Sequence, residues 1–354
     1  MKKNNMWIIG RNKAFNPESI KKILIVHLRP LGDVLLTSGY LHALRRKFPA
    51  AQIDFLVYIP YDRLLLNHPH LSNIFPVHRY HGRKDLYNRV KLFLKVRRKK
   101  YDLIIDSNNS TFSAQIIALS GARYRLGNEQ GKGRLFYNLL AADGPERYNA
   151  AKRFDTLKPL GIEEEPFELF IYSSPQANEF IDHWIQQQGL QDKQIALFSP
   201  GSSYPQKAWS GDHFARLADI IGQKTELTPV VIWGPGEESY VEEMRNAACR
   251  PLWVLPSTNI DQCSAALRRA RFLFCNDGGI NHMAVATKTP TLAFFGIINP
   301  QSWSPQGYVA THFHLFNPEF NWRVNFTRDY DYNPEEAFAR FKEIAPQFGI
   351  KIYA

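Results

Sequence analysis

Four short stretches of this chain carry residue types that could do chemistry. The first is Arg29-Pro30-Leu31-Gly32-Asp33, where Gly32 allows a tight turn and Asp33 sets a carboxylate at the start of a helix. That carboxylate can cap the helix, or it can accept a proton from a substrate hydroxyl as a general base. No G-x-G-x-x-G dinucleotide fingerprint stands here. The second stretch runs from Ser199 to Trp209 and includes Ser202, Ser203 and Lys207. Its small and hydroxyl residues would let the backbone approach a ligand, with Lys207 as a point charge for a diphosphate. An ordinary polar loop with a surface lysine is the alternative. In the third, Phe274 to Ala284, Asp277 is followed by Gly278, Gly279 and a small-residue helix. Free N–H groups at such a helix start form an anion site, and Asp277 suits sugar hydroxyls better than phosphate. His282 on that helix reads either as a packed structural residue or as part of the site, and Met283 as core. The fourth is Trp233-Gly234-Pro235-Gly236-Glu237-Glu238, whose acids either favour a helix dipole or hold a ribose diol.

Each stretch follows a run of strand length. KKILIVHL (21–28), AQIDFLVY (51–58) and YDLIIDSN (101–108) read as strands in the first half, with a helix expected over VLLTSGYLHALRRKFP. After a helix at ANEFIDHWIQQQGL, the second half repeats the pattern with QIALFSPG (194–201), TPVVIWGPG (228–236), RFLFCND (271–277) and TPTLAFFG (289–296). Strands alternating with helices imply parallel sheets covered on both faces, with ligands outside the carboxyl ends of the strands. The fold class expected is α/β, with two doubly wound Rossmann-like domains at 1–172 and 173–330 facing across a cleft. A C-terminal helix in 331–354, NPEEAFARFKEIAPQFG, is expected to pack back on the N-terminal domain.

The net charge of +11 is uneven: residues 1–172 hold 29 Lys+Arg against 15 Asp+Glu, and residues 173–354 hold 15 against 18. The densest cluster lies within Arg79–Lys100, where residues 81–100 carry nine basic residues and one acid. It reads as a solvated helix face or as a surface for something anionic: nucleic acid, a phosphorylated substrate or an acidic membrane. The cluster lacks a nucleic-acid-binding motif and a regular stacking pattern of aromatics, so nucleic acid is not the expected partner. Three cysteines without a C-x-x-C pair point to a reducing compartment and no structural zinc. Apolar runs are too short to span a bilayer, and the N-terminus lacks signal-peptide features.

Taken together, the stretches resemble the ADP-heptose:lipopolysaccharide heptosyltransferases, the family 9 glycosyltransferases of GT-B architecture. The likeness rests on KKILIVHLRPLGDVLLTSGYLHALRRKFPAAQIDFLVY, on PGSSYPQKAW with the helix behind it, and on NDGGINHMAVATKTPTLAFFG. It implies inverting transfer of a heptose from ADP-heptose to a hydroxyl of the lipopolysaccharide inner core. Asp33 would be the base, with Arg29 and Gly32 on the acceptor side. Ser202, Ser203, Lys207, Glu238, Asp277, Gly278, Gly279 and His282 would be on the donor side. Gly278 stands where the family usually has Ser or Thr, and Ile297-Ile298-Asn299-Pro300 replaces its usual turn. No D-x-D motif stands at either candidate active-site loop, and Asp329-Tyr330-Asp331, which matches the pattern, lies late in the chain, so a metal-independent mechanism with no cofactor is expected. The partners implied are a nucleotide sugar, a lipid A–core acceptor and the anionic inner-membrane surface, approached by a cytoplasmic, peripheral monomer. The alternatives are a transferase using another nucleotide sugar or a protein acceptor, and a non-catalytic protein that binds an anionic ligand.

Overall fold

The computed structural model describes residues 15–79, 85–202, 205–319, 330 and 332–353, without the side chain of Lys207. The chain divides into two units, the first ending at Phe170 and the second beginning at Ile171.

In the first unit the run KILIV forms β1 (Lys22–Val26), and Ile23 to Val26 are wholly buried, as befits a central parallel strand covered on both faces. It is followed by α1 (Leu31–Ser38), α2 (Leu41–Lys47), β2 (Gln52–Tyr58), β3 (Asn73–Val77), α3 (Leu86–Lys99) and β4 (Leu103–Asp106). Then come α4 (Thr111–Leu119), β5 (Tyr124–Asn128), β6 (Leu139–Ala141) and the short α5 (Asn149–Lys152). The parallel sheet has the order β3-β2-β1-β4-β5-β6, so the winding reverses between β1 and β4. The single helix expected after β1 is two. It breaks at Gly39-Tyr40, where Tyr40 is buried with its hydroxyl 2.9 Å from Ser107 Oγ and Gly39 lies close against Phe167 and Leu169.

The second unit contains α6 (Pro175–Gln187), β7 (Gln194–Ser199), α7 (Gly211–Lys224), β8 (Leu227–Val231), α8 (Glu238–Ala247) and β9 (Trp253–Val254). It continues with α9 (Ile260–Arg269), β10 (Phe272–Asn276), α10 (Gly279–Thr287), β11 (Thr291–Phe295), β12 (His312–Phe316) and α11 (Pro334–Ile344). Its sheet, β9-β8-β7-β10-β11-β12, has the same winding and reverses between β7 and β10. Here the structure differs from the expected return of the last helix to the N-terminal domain. Asn333 and Glu336 box the start of α11, and Phe338, Phe341 and Ile344 enter the core formed by Phe272, Phe274 and α7. This apolar face makes α11 part of the second unit.

Candidate functional site

At the β1/β4 reversal the loops after the two strands are laced together. The Leu28 N–H donates to Asn108 Oδ1 at 2.8 Å, and Arg29 Nη2 donates to the Asn108 carbonyl at 3.2 Å. His27 Nδ1 lies 2.9 Å from the Ser107 carbonyl, and burial, then Arg153, keeps the ring's pKa well below its ordinary value. Asp106 closes β4. Its Oδ1 accepts the N–H groups of Asn108 and Asn109 at 2.9 and 3.0 Å, and its Oδ2 accepts the Tyr137 hydroxyl at 2.5 Å. Burial raises the Asp106 pKa against these bonds. Tyr137 reaches it between Gly127 and Gly133, where a Cβ would stand 2.3 and 2.1 Å from the tyrosine.

Asp33 is the third residue of α1, and it does not cap the helix: the N-cap is Pro30, and no side chain caps this end. Asp33 Oδ1 instead accepts from Arg153 Nη2 at 2.8 Å, with the two side chains 22% and 23% exposed, so the pair is within reach of solvent. Oδ2 takes no hydrogen bond among the described residues. Gly32 does not make the expected tight turn. It is helical within α1, and Pro30, at φ −60° and ψ 171°, turns the chain. Arg29 is exposed beside it.

At the β7/β10 reversal the organiser is Asn276. Its Oδ1 accepts the Trp209 N–H and its Nδ2 donates to the Pro200 carbonyl, both at 2.8 Å, so one side chain holds both ends of the 200–209 loop. Trp209 is wholly buried, its ring centroid 4.4 Å from that of Phe294. Lys207 therefore lies two residues before a fixed anchor, in a short 3-10 turn, Pro205–Lys207. Ser202 is half-buried, while Ser203 and the Lys207 side chain lie outside the described residues. Asp277 is buried at the carboxyl end of β10. Gly278 occupies the N-cap of α10 in extended conformation, and Gly279 is its first residue. This helix starts without a side-chain cap, which leaves its opening N–H groups to meet an anion. His282 is 1% exposed, packs near Trp303, and is held at a pKa of about 3 by burial. The ring lies in the interior on the helix that follows Asp277.

The two neighbouring acids separate clearly. Glu238 is exposed at the first position of α8. Glu237 turns inward: its Oε2 accepts the Gly234 N–H at 2.8 Å, and a Cβ on Gly201 would stand 2.3 Å from its carboxyl carbon. Burial, with a smaller contribution from Glu238, raises the Glu237 pKa. It therefore lies at the carboxyl ends of both β7 and β8, where Glu238 was expected. Of the D-x-D pattern, Asp329 and Asp331 lie outside the described residues, and Tyr330 is buried against Gly296.

A family model described as glycosyltransferase family 9 (heptosyltransferase) matches residues 89–324, about two thirds of the chain. The chain belongs to glycosyltransferase family 9. Among curated relatives, lipopolysaccharide heptosyltransferase 3 of Escherichia coli K12 is 24% identical over 296 residues, covering 78% of this chain and 83% of its own. Among solved structures, a family 9 glycosyl transferase from Veillonella parvula aligns with a TM-score of 0.80 at 21% identity, covering 92% of this chain and 97% of its own. E. coli heptosyltransferase WaaC with ADP-2-deoxy-2-fluoro heptose aligns with a TM-score of 0.70 at 18% identity, covering 91% and 99%. The two doubly wound units are those of the GT-B class, and this family 9 member is a glycosyltransferase.

Sequence reasoning missed Arg153, Asn108 and Asn276 as organisers of the site, and left open which of Glu237 and Glu238 turns inward. Asn276 adjoins Asp277 and so had a signal in its position at a strand end; Arg153, 120 residues from Asp33, had none.

Proposed function

We propose that the chain transfers a heptose from ADP-heptose, with inversion, to a hydroxyl of the lipopolysaccharide inner core, Asp33 serving as general base. The observation that carries this reading is the Asp33 carboxylate itself. It stands just beyond β1 at the point of reversal, free of any capping role and oriented through one oxygen by Arg153. The acceptor oxygen attacks the anomeric carbon from the face opposite the leaving ADP while Asp33 takes its proton. ADP departs with the electrons of the glycosidic bond, and Lys207 with the opening N–H groups of α10 offsets the charge on the diphosphate. Small residues at 201–202 and 278–279 let the backbone close on the donor, Asp277 meets sugar hydroxyls, and Glu237 holds the ribose diol. No resident metal or cofactor takes part in this scheme. A relative named for lipopolysaccharide heptosyl transfer and a structural neighbour containing a fluorinated ADP-heptose support the choice of donor and pathway.

The enzyme, as a monomer, meets its lipid-borne acceptor at the cytoplasmic face of the inner membrane through α3. That helix contains no Asp or Glu, and Leu86, Tyr87, Val90 and Leu94 are exposed along it among Lys91, Lys95 and Arg98. Among the described residues no helix is long and apolar enough to cross a membrane. An apolar ridge beside basic residues fits an interfacial helix on an anionic leaflet. The deciding experiment supplies ADP-heptose, other nucleotide sugars and a heptose-deficient core acceptor, and measures free nucleotide and product. Acceptor-dependent ADP release from ADP-heptose is expected; release from a different nucleotide sugar in preference would overturn the donor assignment.

A further inference from the structure

The first unit contains a polar cavity of about 190 Å³ at the carboxyl ends of β4, β5 and β6. Arg153 forms part of its wall and donates to Asp33, so the cavity begins one side chain away from the proposed base. We infer that this cavity seats the acceptor sugar carrying the attacking hydroxyl, and that it is built for an uncharged, hydroxyl-rich sugar residue and not for one bearing a carboxylate or phosphate. This rests on the reading of Asp33 as base.

The argument is in how the wall uses its charges. Arg153 is matched by Asp33, and Lys152 is matched by Glu146. Asp155 is held by Arg147 at 2.9 Å and by Lys158 at 2.7 Å. Both cations of the wall are therefore already paired. Two further carboxylates of the wall make no ion pair among the described residues: Asp106 is met by a tyrosine hydroxyl and backbone N–H groups, and Asp143 by Asn128 Nδ2 at 2.6 Å. An entering carboxylate or phosphate would lose its hydration without gaining an unpaired positive charge, and it would sit near two acids.

What remains uncommitted is mostly neutral. The side chains of Asn149 and Thr156, both in the wall, make no hydrogen bond among the described residues. Asn109 spends Oδ1 on the Lys132 N–H at 3.1 Å and keeps its Nδ2. The Nε of Arg153 is buried without a partner, an added donor on a guanidinium whose charge Asp33 already balances. Amides and a hydroxyl offer donors and acceptors in the mixture that sugar hydroxyls require, each hydroxyl donating once and accepting twice.

The test uses the full chain and two soluble acceptor glycosides, one ending in a neutral heptose and one in a carboxylated ulosonic acid. Binding is read by saturation-transfer NMR without donor, and turnover by ADP release from ADP-heptose. The heptoside is expected to bind at least about tenfold tighter than the acid. Asn149→Ala and Thr156→Val should each weaken it about two- to tenfold, the range for one neutral hydrogen bond, with ADP affinity and melting temperature unchanged. Asp143→Asn should narrow the discrimination against the acid. Equal or tighter binding of the acid, or heptoside binding indifferent to both wall variants, overturns the assignment. The two readings separate cleanly. If the heptoside binds through Asn149 but no transfer from ADP-heptose occurs, the subsite stands and the donor reading falls. If transfer runs only to the acid-terminated glycoside, the donor reading stands and the subsite falls.

Discussion

In the first unit the neutral Asn108 ties the loops at the β1/β4 reversal, and charged pairs, Asp33 with Arg153 and Asp155 with Arg147, stand beside them at a polar cavity. In the second unit the equivalent loops at β7/β10 are organised by a neutral side chain, Asn276, around glycines and an uncapped helix start. The winding is the same, so the fold does not dictate the difference; the chemistry proposed for each place does. Proton transfer needs one carboxylate in a set orientation, which another side chain must hold. A diphosphate is met by several N–H groups at once, which small residues leave within reach. Both reversals are thus tied by an asparagine, to which the first adds a charged pair and the second glycines with an uncapped helix start.

The largest effect expected from breaking this contrast is at Asp33. Asp33→Asn preserves the shape and a bond to Arg153 but cannot take the proton. Turnover should fall roughly 10²–10⁴-fold while ADP affinity by calorimetry stays at the wild-type value. Retention of more than about half the turnover would remove Asp33 from the mechanism. In the second unit Lys207→Ala should do the reverse. Loss of a charge-assisted contact to the diphosphate, about 1.5–3 kcal/mol, lowers ADP affinity roughly ten- to hundredfold with the melting temperature held. An unchanged ADP titration would return Lys207 to the surface.

The contrast also marks what the sequence could reveal. Central strands such as KILIV and FLFCN are continuous apolar runs, and the motif residues that follow them lie where strand ends must place ligands. Strands β3, β5, β6, β9 and β12 were missed. They lie at or near sheet edges, where β3 carries Pro76 and β6 and β9 have only three and two residues, too little for a period to register. Backbone-built features of the site were legible because Gly278 and Gly279 announce them. Paired side chains were not, because the partner of Asp33 is set by the return of the chain at α5 and not by local spacing.

A smaller effect is expected at α3, where charge alone would give binding that salt abolishes. The exposed ridge of Leu86, Val90 and Leu94 adds an apolar contribution that salt does not screen. Vesicle sedimentation should therefore show residual binding at about 1 M salt, where the screening length falls to about 3 Å. Exchanging Leu86, Val90 and Leu94 for Ser should remove that residue of binding, about tenfold in partition. Exchanging Arg97, Arg98, Lys99 and Lys100 for Gln should remove the salt-sensitive part. If the serine variant sediments with anionic vesicles as wild type does at every salt concentration, the ridge stays in water.

The smallest effect is the most direct test of a backbone-built site, because it adds a side chain to it. Gly278 has φ 178°, extended backbone open to any residue, and an added Cβ would meet nothing nearer than the Asn276 carbonyl at 3.9 Å. Gly278→Ser should fit without strain. Its hydroxyl can donate to a phosphate oxygen, or it can accept an N–H from the first turn of α10 and withdraw that N–H from the anion. As an N-cap, serine improves on glycine by only a few tenths of a kcal/mol, so the melting temperature should rise slightly. If the hydroxyl serves the donor, ADP affinity should also rise, by about two- to fivefold. A higher melting temperature with weaker ADP binding would mean that the serine has taken an N–H the diphosphate uses, and would locate the donor at the start of α10 by the loss. Unchanged ADP affinity would place the diphosphate away from α10 and leave Lys207 to hold it alone.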